Sequence, residues 1–415
     1  MRHIHIRQSA DLLFAILTDR LPADVQMEKY FRAHREMGMR DRGEVAETVY
    51  ACLREKRLLE HLCQGGDFLC LAAANHLRHG ISARAIGDLG ALDLAGLTER
   101  VRTLKPETLP LAVRYSLPDW LADSLVAQYG EEETGQLAQA LNRQAPVDMR
   151  VNTLKATRDE VRERLAKEGF DSEPTPYSPF GLRRATREPL FRTAAFKEGL
   201  FEIQDEGSQL LSLMLEPKRQ EQIVDFCAGA GGKTLAIGQL AANTGSVYAF
   251  DNSAKRLDRL KPRLRRSGLQ NVRTAVIRHE RDDRVRRLAG KMDRVLVDAP
   301  CSGTGTLRRN PDIKWRTLDL AALVAEQGKI LEAAASLVKP GGRLVYATCS
   351  LLREENEGVV ANFQQQHPDF STVPVNDVLA RRHVALTMPG EHLHLYPHRH
   401  GTDGFFAAIM DRARG

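Results

Sequence analysis

Apolar residues recur at helical spacing through the first third of the chain. Leu12, Leu13, Ala15 and Ile16 form one such stripe, and Val45, Val49, Leu53, Leu58 and Leu59 form another. Strand-like alternation is absent before about Asn142, while Pro106, Pro110 and Pro118 punctuate the later part. Pro118-Asp119-Trp120 reads as a helix start, with Trp120 as a packing residue. From about Ala145 to Ile203 the texture changes. Met149 to Asn152 predicts a strand, Thr157 to Gly169 a helix closed by its glycine, and short strands and turns follow through Pro174, Pro176, Pro179 and Gly181. From about Gln204 onward, β-rich runs at 223–226, 247–250, 272–277, 294–297 and 343–347 each lead into helical or loop sequence, the pattern of a mostly parallel doubly wound sheet. Residues 392–396 and 404–409 predict a closing hairpin. The expected class is α/β, divided into an all-helical segment with its connector over 1–142, a small α+β subdomain over 143–203, and the doubly wound domain over 204–415.

Composition narrows this picture. Of the 415 residues 42% are apolar and 27% charged, an ordinary globular balance, and no run approaches the ~18 apolar residues of a membrane span. Leu12 to Leu17 is flanked by Asp11 and Asp19 with no small-residue cleavage site, so it reads as a helix of the mature protein, and a cytoplasmic, monomeric protein is expected. The six cysteines include no CxxC pair and are too scattered for a disulfide framework. Cys52, Cys63 and Cys70 lie on apolar helical stretches and read as packing residues. His392, His394, His398 and His400 alternate as in a strand and turn without acidic companions, so no metal is expected. The excess of 60 Lys and Arg over 54 Asp and Glu, +6, permits a polyanionic partner. Lys255, Arg256, Arg259, Lys261, Arg263, Arg265 and Arg266 read as a solvated helix face. Arg308, Arg309, Lys314 and Arg316 flank the chemical motifs and are expected to contact phosphates of such a partner.

Those motifs fall at predicted strand ends, where doubly wound sheets bind ligands. The first strand runs through Asp225 into a loop of Cys227, Ala228, Gly229, Ala230, Gly231, Gly232 and Lys233, then a helix. Small residues let the backbone turn tightly and approach a ligand. The loop nearly fits the phosphate-binding pattern GxxxxGK[ST], but Cys227 stands where the first glycine is required. The alternative is a methyl-donor site around S-adenosylmethionine, with Asp251 holding ribose hydroxyls or capping a helix, and Glu280, with Asp282 close behind, on the adenine side. After the fourth strand comes Asp298-Ala299-Pro300-Cys301-Ser302-Gly303, and after the fifth Thr348-Cys349-Ser350. If these strands are neighbours, two thiols, a carboxylate and a methyl donor share one crevice. Methylation of carbon 5 of a cytosine needs that set, because the ring carbon becomes nucleophilic only after a thiolate adds to carbon 6. Lys233 is a cation suited to support the thiolate. Asp298, if buried and protonated, suits nitrogen 3 and the exocyclic amine, and the second thiol suits proton removal or release.

The stretches DFCAGAGGKT, DAPCSGTGTLRRNPDIKWR, YATCSLLREENE, HGTDGFFAAI, FEIQDEGSQL and PVDMRVNTLK resemble the RNA cytosine-5 methyltransferases that include bacterial small-subunit ribosomal RNA methyltransferase B and the NOP2/Sun proteins. The resemblance runs from about Pro118 to the C-terminus and implies a class I Rossmann-like methyltransferase domain using S-adenosylmethionine. It implies Cys349 as the nucleophile, Cys301 as the residue that assists release, and the 227–233 loop, Asp251 and Asp298 around the cofactor. The loop carries Gly229-Ala230 where many members have Ala-Pro, and Glu280 stands where an Asp is common. The segment from Arg40 to Arg54 is similar to the RNA-binding antitermination factor NusB, which implies an rRNA substrate, and the α+β segment would be the small RNA-binding subdomain. A non-catalytic RNA-binding assembly factor and a phosphate-loop NTPase are the competing readings.

Overall fold

In the helical region, helix His3–Thr18 buries Ile6, Leu12, Leu13 and Ile16, one stripe of a 3.6-residue period, in a shared core with Val45, Val49 and Leu53 of helix Met39–Cys63 and Leu71 of helix Phe68–Arg78. The computed structural model describes residues 3–19, 21–186 and 188–414. It divides into two compact units, Met1–Gln144 with Thr306–Leu318, and Ala145–Gly305 with Asp319–Gly415.

In the first unit, helix Met39–Cys63 breaks its regular geometry at Glu55 (φ −112°, ψ 18°). Two carbonyls on the approach to that kink take partners from the 306–318 segment. Trp315 Nε1 donates to Leu53 O at 2.8 Å and Lys314 Nζ to Arg54 O at 3.0 Å. Cys63 and Cys70, expected as plain packing residues, instead form a disulfide with Cα atoms 5.9 Å apart. Gln64 and Gly65, both at positive φ, reverse the chain between the two helices and bring those side chains together. Trp120 is another departure. It starts helix Asp119–Tyr129 as expected but is 40% exposed, because the buried face of that helix is carried by Leu121, Ala122 and Leu125.

The second unit holds two sheets. The smaller comprises β1 (Val147–Val151), β2 (Glu173–Pro174), β3 (Gly181–Arg184) and β4 (Phe201–Ile203) in the order β2-β3-β1-β4, all antiparallel. Helix Arg158–Lys167 joins it, opened by a capping box between Thr157 and Glu160. The larger sheet comprises β5 (Gln222–Asp225), β6 (Ser246–Asp251), β7 (Val272–Val276), β8 (Met292–Asp298), β9 (Val338–Thr348), β10 (Phe370–Thr372), β11 (Leu393–Leu395) and β12 (Phe405–Arg412). Its order is β10-β12-β9-β8-β5-β6-β7, with β11 paired to β12. The run from β9 to β7 is parallel, and β12 closes it antiparallel, forming the expected hairpin with β11.

Alternation along the central strands covers both faces. Leu296, Val345 and Ala347 enter one core with Ile237 and Leu210, while Val295, Val297, Leu344 and Tyr346 enter the other with Leu331 and Val360. The strands β5, β8 and β9 are therefore adjacent and buried, and their carboxyl ends open on the same side. Among the described residues no helix is long and apolar enough to cross a membrane.

Candidate active site

The loop after β5 is shaped by its glycines. Gly231 sits at φ +83° as the N-cap of helix Gly232–Leu240, and a Cβ there would lie 2.1 Å from Leu260 Cδ1, so neither the angle nor the space admits a side chain. Ala228 N donates to Phe250 O at 2.8 Å, tying the loop to the end of β6. There Asp251, 2% exposed, accepts from Gly229 N at 2.8 Å and Ser253 N at 2.7 Å, and pairs with Arg256 at 3.0 Å. Arg263 Nη1 and Arg150 Nη1 brace the loop from behind through Ala230 O (2.7 Å) and Gly232 O (2.8 Å).

A cleft of about 580 Å³ runs along these strand ends, within the usual size of a small-molecule site. Its walls include Cys227 to Ala230, Gly232, Lys233, Asp251, Glu280, Asp298, Cys301 and Cys349, so residues the sequence nominated from five strand ends meet in one space. Asp282 is not in that lining. It caps the short helix Asp283–Arg286, accepting from Arg284 N and Arg278 N, which holds its carboxyl below the usual range.

At the other end of the cleft, Asp298 pairs with Lys233 Nζ at 2.7 Å. Its side chain is 30% exposed, so the deep burial that a protonated Asp298 would need is not what the structure has. Asp298 stands as an ion-pair acceptor. Burial alone would lower the Lys233 ammonium, but the Asp298 charge and hydrogen bond outweigh it and raise its pKa, with a further contribution from Cys349. Thr234 donates to Asp225 Oδ2 at 2.6 Å, and burial pushes that carboxyl up to about 7. Burial also raises the Cys227 thiol. Lys233 and Thr234 are thus both engaged by carboxylates, an arrangement ill suited to cradling phosphates.

β8 and β9 are parallel neighbours with Asp298 opposite Ala347, which brings the two sulfurs of Cys301 and Cys349 to 3.2 Å. Cys349 N also donates to Cys301 Sγ at 3.3 Å. The Cys301 thiol is raised well above the usual range by its hydrogen bond with Cys349, then by burial and the Glu355 charge.

Glu355 was not singled out in the sequence. It is fully buried, and its carboxylate accepts from Ser302 N (2.8 Å), Gln327 Nε2 (2.9 Å) and the hydroxyls of Ser302 and Ser350. One carboxylate therefore joins the loop after Cys301 to the loop after Cys349. Six residues past Cys349, it stands among Arg353, Glu354 and Glu357, so the sequence offered nothing to separate it from solvated neighbours. Gly305 completes the frame. A Cβ there would sit 2.2 Å from Gly404 O, and Gly404 N donates to Gly305 O at 2.8 Å. That backbone contact explains the glycine of the C-terminal HGTDG stretch.

The four basic residues expected to touch RNA stand differently. They belong to the 306–318 segment of the first unit. Lys314 is 2% exposed and donates to Arg54 O, Ser116 O (3.1 Å) and Asn142 Oδ1 (2.5 Å), and burial, followed by the Arg54 charge, lowers its pKa to about 7. It serves as an internal anchor, not a phosphate contact. Arg308 is 5% exposed, which likewise removes it from the surface, Arg309 is half-buried, and Arg316 is paired to Asp312. Among the described residues no cluster of three His, Cys, Asp or Glu is placed to hold a metal ion.

Known proteins resemble this chain in sequence and in fold. Residues 212–411 match the 16S rRNA methyltransferase RsmB/F family, and residues 117–188 match the ferredoxin-like domain of RsmF/B-like methyltransferases. The probable ribosomal RNA small subunit methyltransferase B of Synechocystis sp. is 35% identical over 349 residues, covering 83% of this chain and 77% of its own. The ribosomal RNA small subunit methyltransferase B of Yersinia pseudotuberculosis is 36% identical, covering 75% of this chain and 71% of its own. Among solved structures, a methyltransferase homolog protein from Pyrococcus horikoshii is 31% identical with a TM-score of 0.62, over 74% of this chain and 100% of its own. The shared sequence spans the glycine loop and both cysteine loops, and this chain belongs to the RsmB/F family of 16S rRNA methyltransferases.

Proposed function

We propose that the protein transfers a methyl group from S-adenosylmethionine to carbon 5 of a cytosine in small-subunit rRNA, with Cys349 as the covalent nucleophile. The observation that carries this reading is the pair of sulfurs 3.2 Å apart at the end of a cleft that also presents Asp298, Lys233 and the glycine loop. Family membership supports an rRNA substrate and a cytoplasmic setting. The cleft fits the cofactor in size, in its glycine-shaped cradle, and in the carboxylates of Asp251, Glu280 and Asp298 that would face a sulfonium and a ribose. When bound, the cofactor supplies an electrophilic methyl group.

The chain's own groups do the rest. Cys349 sulfur adds to ring carbon 6, and the C5=C6 electron pair becomes available at carbon 5. The Lys233–Asp298 pair sets a donor beside an acceptor, which matches nitrogen 3 and the exocyclic amine of cytosine and is reversed for uracil. After carbon 5 is methylated its proton must leave. As the C5–H bond breaks, its electron pair re-forms the C5=C6 double bond and expels the sulfur from carbon 6. The Cys301 thiol gives its hydrogen to the departing Cys349 sulfur while its own sulfur takes the carbon 5 proton, leaving two thiols. The raised Cys301 pKa keeps that hydrogen in place until it is needed. A cytosine in a duplex is out of reach, so the substrate is unpaired or flipped out. The helical region over 1–142, NusB-like in this reading, and the α+β segment over 143–203 serve RNA binding. A monomer acts alone.

The test combines two variants. Cys349→Ala abolishes methyl incorporation while cofactor binding persists. Cys301→Ala accumulates a protein–RNA adduct, visible on a denaturing gel and absent from the double variant. Methyl transfer by Cys349→Ala would end this assignment.

A further inference from the structure

The positive charge of this protein is concentrated in one place. Residues 254–287 hold thirteen Lys and Arg against four Asp and Glu, a net +9, whereas the whole chain carries +6, so everything outside this stretch is net −3. Helix Ala254–Ser267, β7 and the segment after it fold together at one border of the large sheet, where β7 is the last strand. The helix packs on β6 and β7. Arg256 and Arg263 on one flank of it line the cleft. At 100° per residue Lys261 and Arg265 fall roughly opposite them, toward the β7 border.

β7 keeps Arg273, Thr274 and Val276 exposed, and the Arg273 guanidinium lies over the Tyr248 ring, 5.8 Å from its centroid. Arg278, Arg281, Arg284, Arg286 and Arg287 are all exposed and line a shallow groove of about 390 Å³. The carboxylates in this border are few, and those outside the cleft, where Glu280 lies, are committed. Asp282 caps its helix, Asp283 pairs with Arg286, Asp258 with Lys261, and Glu332 lies 3.8 Å from Arg281. Arg278 and His279 line both this groove and the cleft, so the two are continuous.

A solvated helix face needs no such segregation. Exposed guanidinium groups from a helix, an edge strand and a loop, in a chain otherwise slightly acidic, produce a local positive field that complements a phosphodiester backbone. We propose that the β7 border, built on Arg273, Arg281, Arg286 and Arg287, holds the RNA backbone as the target nucleotide enters the cleft. It takes the phosphate-contacting role for which Arg308 and Lys314 are too deeply buried. The inference rests on the methyltransferase reading for the identity of its RNA.

The full-length protein and a variant with all four arginines changed to Gln are titrated with a small-subunit rRNA fragment across a salt series. None of the four lines the cleft. The variant is expected to bind at least about tenfold more weakly near 0.1 M salt. Its log-affinity against log-salt slope falls by roughly three, since each single-strand phosphate contact contributes about 0.7. Replacing the four by Lys restores most of the affinity, which a purely structural role would not predict. Unchanged affinity and slope in the Gln variant overturn the proposal, as does binding to phosphatidylserine vesicles that the variant loses while its RNA affinity is kept. If the salt slope behaves as expected but the unaltered protein transfers no methyl group, the catalytic reading fails and the RNA surface stands.

Discussion

Replacing Glu355 tests whether one buried carboxylate sets the spacing of the two thiols. Its two oxygens accept four hydrogen bonds, two from the loop after Cys301, one from the loop after Cys349 and one from Gln327, with no solvent exposure. Glu355→Gln keeps the size and one carbonyl oxygen. Charge-assisted bonds exceed neutral ones by about 1 kcal/mol each, and the two serine hydroxyls can rotate to accept from the new amide, so a net loss of about 2 kcal/mol follows. Glu355→Ala leaves the Ser302 N–H and one Gln327 amide hydrogen buried without an acceptor, the other amide hydrogen keeping Pro300 O. At roughly 1–3 kcal/mol per orphaned donor plus a small cavity, the loss is about 4 kcal/mol.

The catalytic effect is separable from the loss of stability. A displacement of one reacting atom by about 1 Å costs about a hundredfold in rate. Glu355 does not line the cleft, so cofactor affinity is retained. Denaturant unfolding measures the stability term, calorimetry the cofactor affinity, and tritiated methyl incorporation kcat, all below the unfolding midpoint. A Glu355→Gln protein with kcat within twofold of the unaltered protein would refute the reasoning, because the sulfurs would then be placed by the strands alone.

Two further predictions concern pH, and one the cation of the site. The Asp225 carboxyl, raised to about 7 in the fold, binds its proton more tightly there than in the unfolded chain. Its contribution is therefore complete below about pH 4 and lost as pH rises toward 7, and Asp225→Asn flattens that decline in urea unfolding curves. Lys314 is the opposite case. Its pKa of about 7 lies below that of a free lysine, so stability of the helical region rises between about pH 7 and 10, and Lys314→Met, followed by circular dichroism, removes the slope while costing the three anchored acceptors. Lys233→Met leaves Asp298 without its ion-pair partner, and methyl transfer is expected to fall at least about hundredfold, with a smaller change in RNA affinity. Lys233→Met at full activity would remove that residue from the chemistry.

Much of the site was legible before any fold was known. The glycine loop, the Pro-Cys and Thr-Cys stretches and Asp251 each sit within a few residues of a β-rich run. Strand periodicity, turn chemistry and small-residue spacing are local properties, recorded by neighbours in the chain. Knowing that these ends lie on the same side of a parallel sheet is enough to bring them together.

What local pattern could not decide was the fate of polar side chains. Lys314 and Arg308 look like surface cations in the sequence, and yet the acceptors that bury Lys314 come from residues 54, 116 and 142, far away in the chain. Glu355 looks like one acid in a charged turn until the loop from Cys301 closes over it. The pairing of Cys63 with Cys70 likewise depended on how two helices meet across a reversal. The same local sequence serves a solvated charge and an internally satisfied one, because the difference lies in which distant donors and acceptors replace water. Hydrophobic period and turn residues therefore settled the elements and the location of the chemistry. Only tertiary packing determined which charges anchor the structure and which face the solvent.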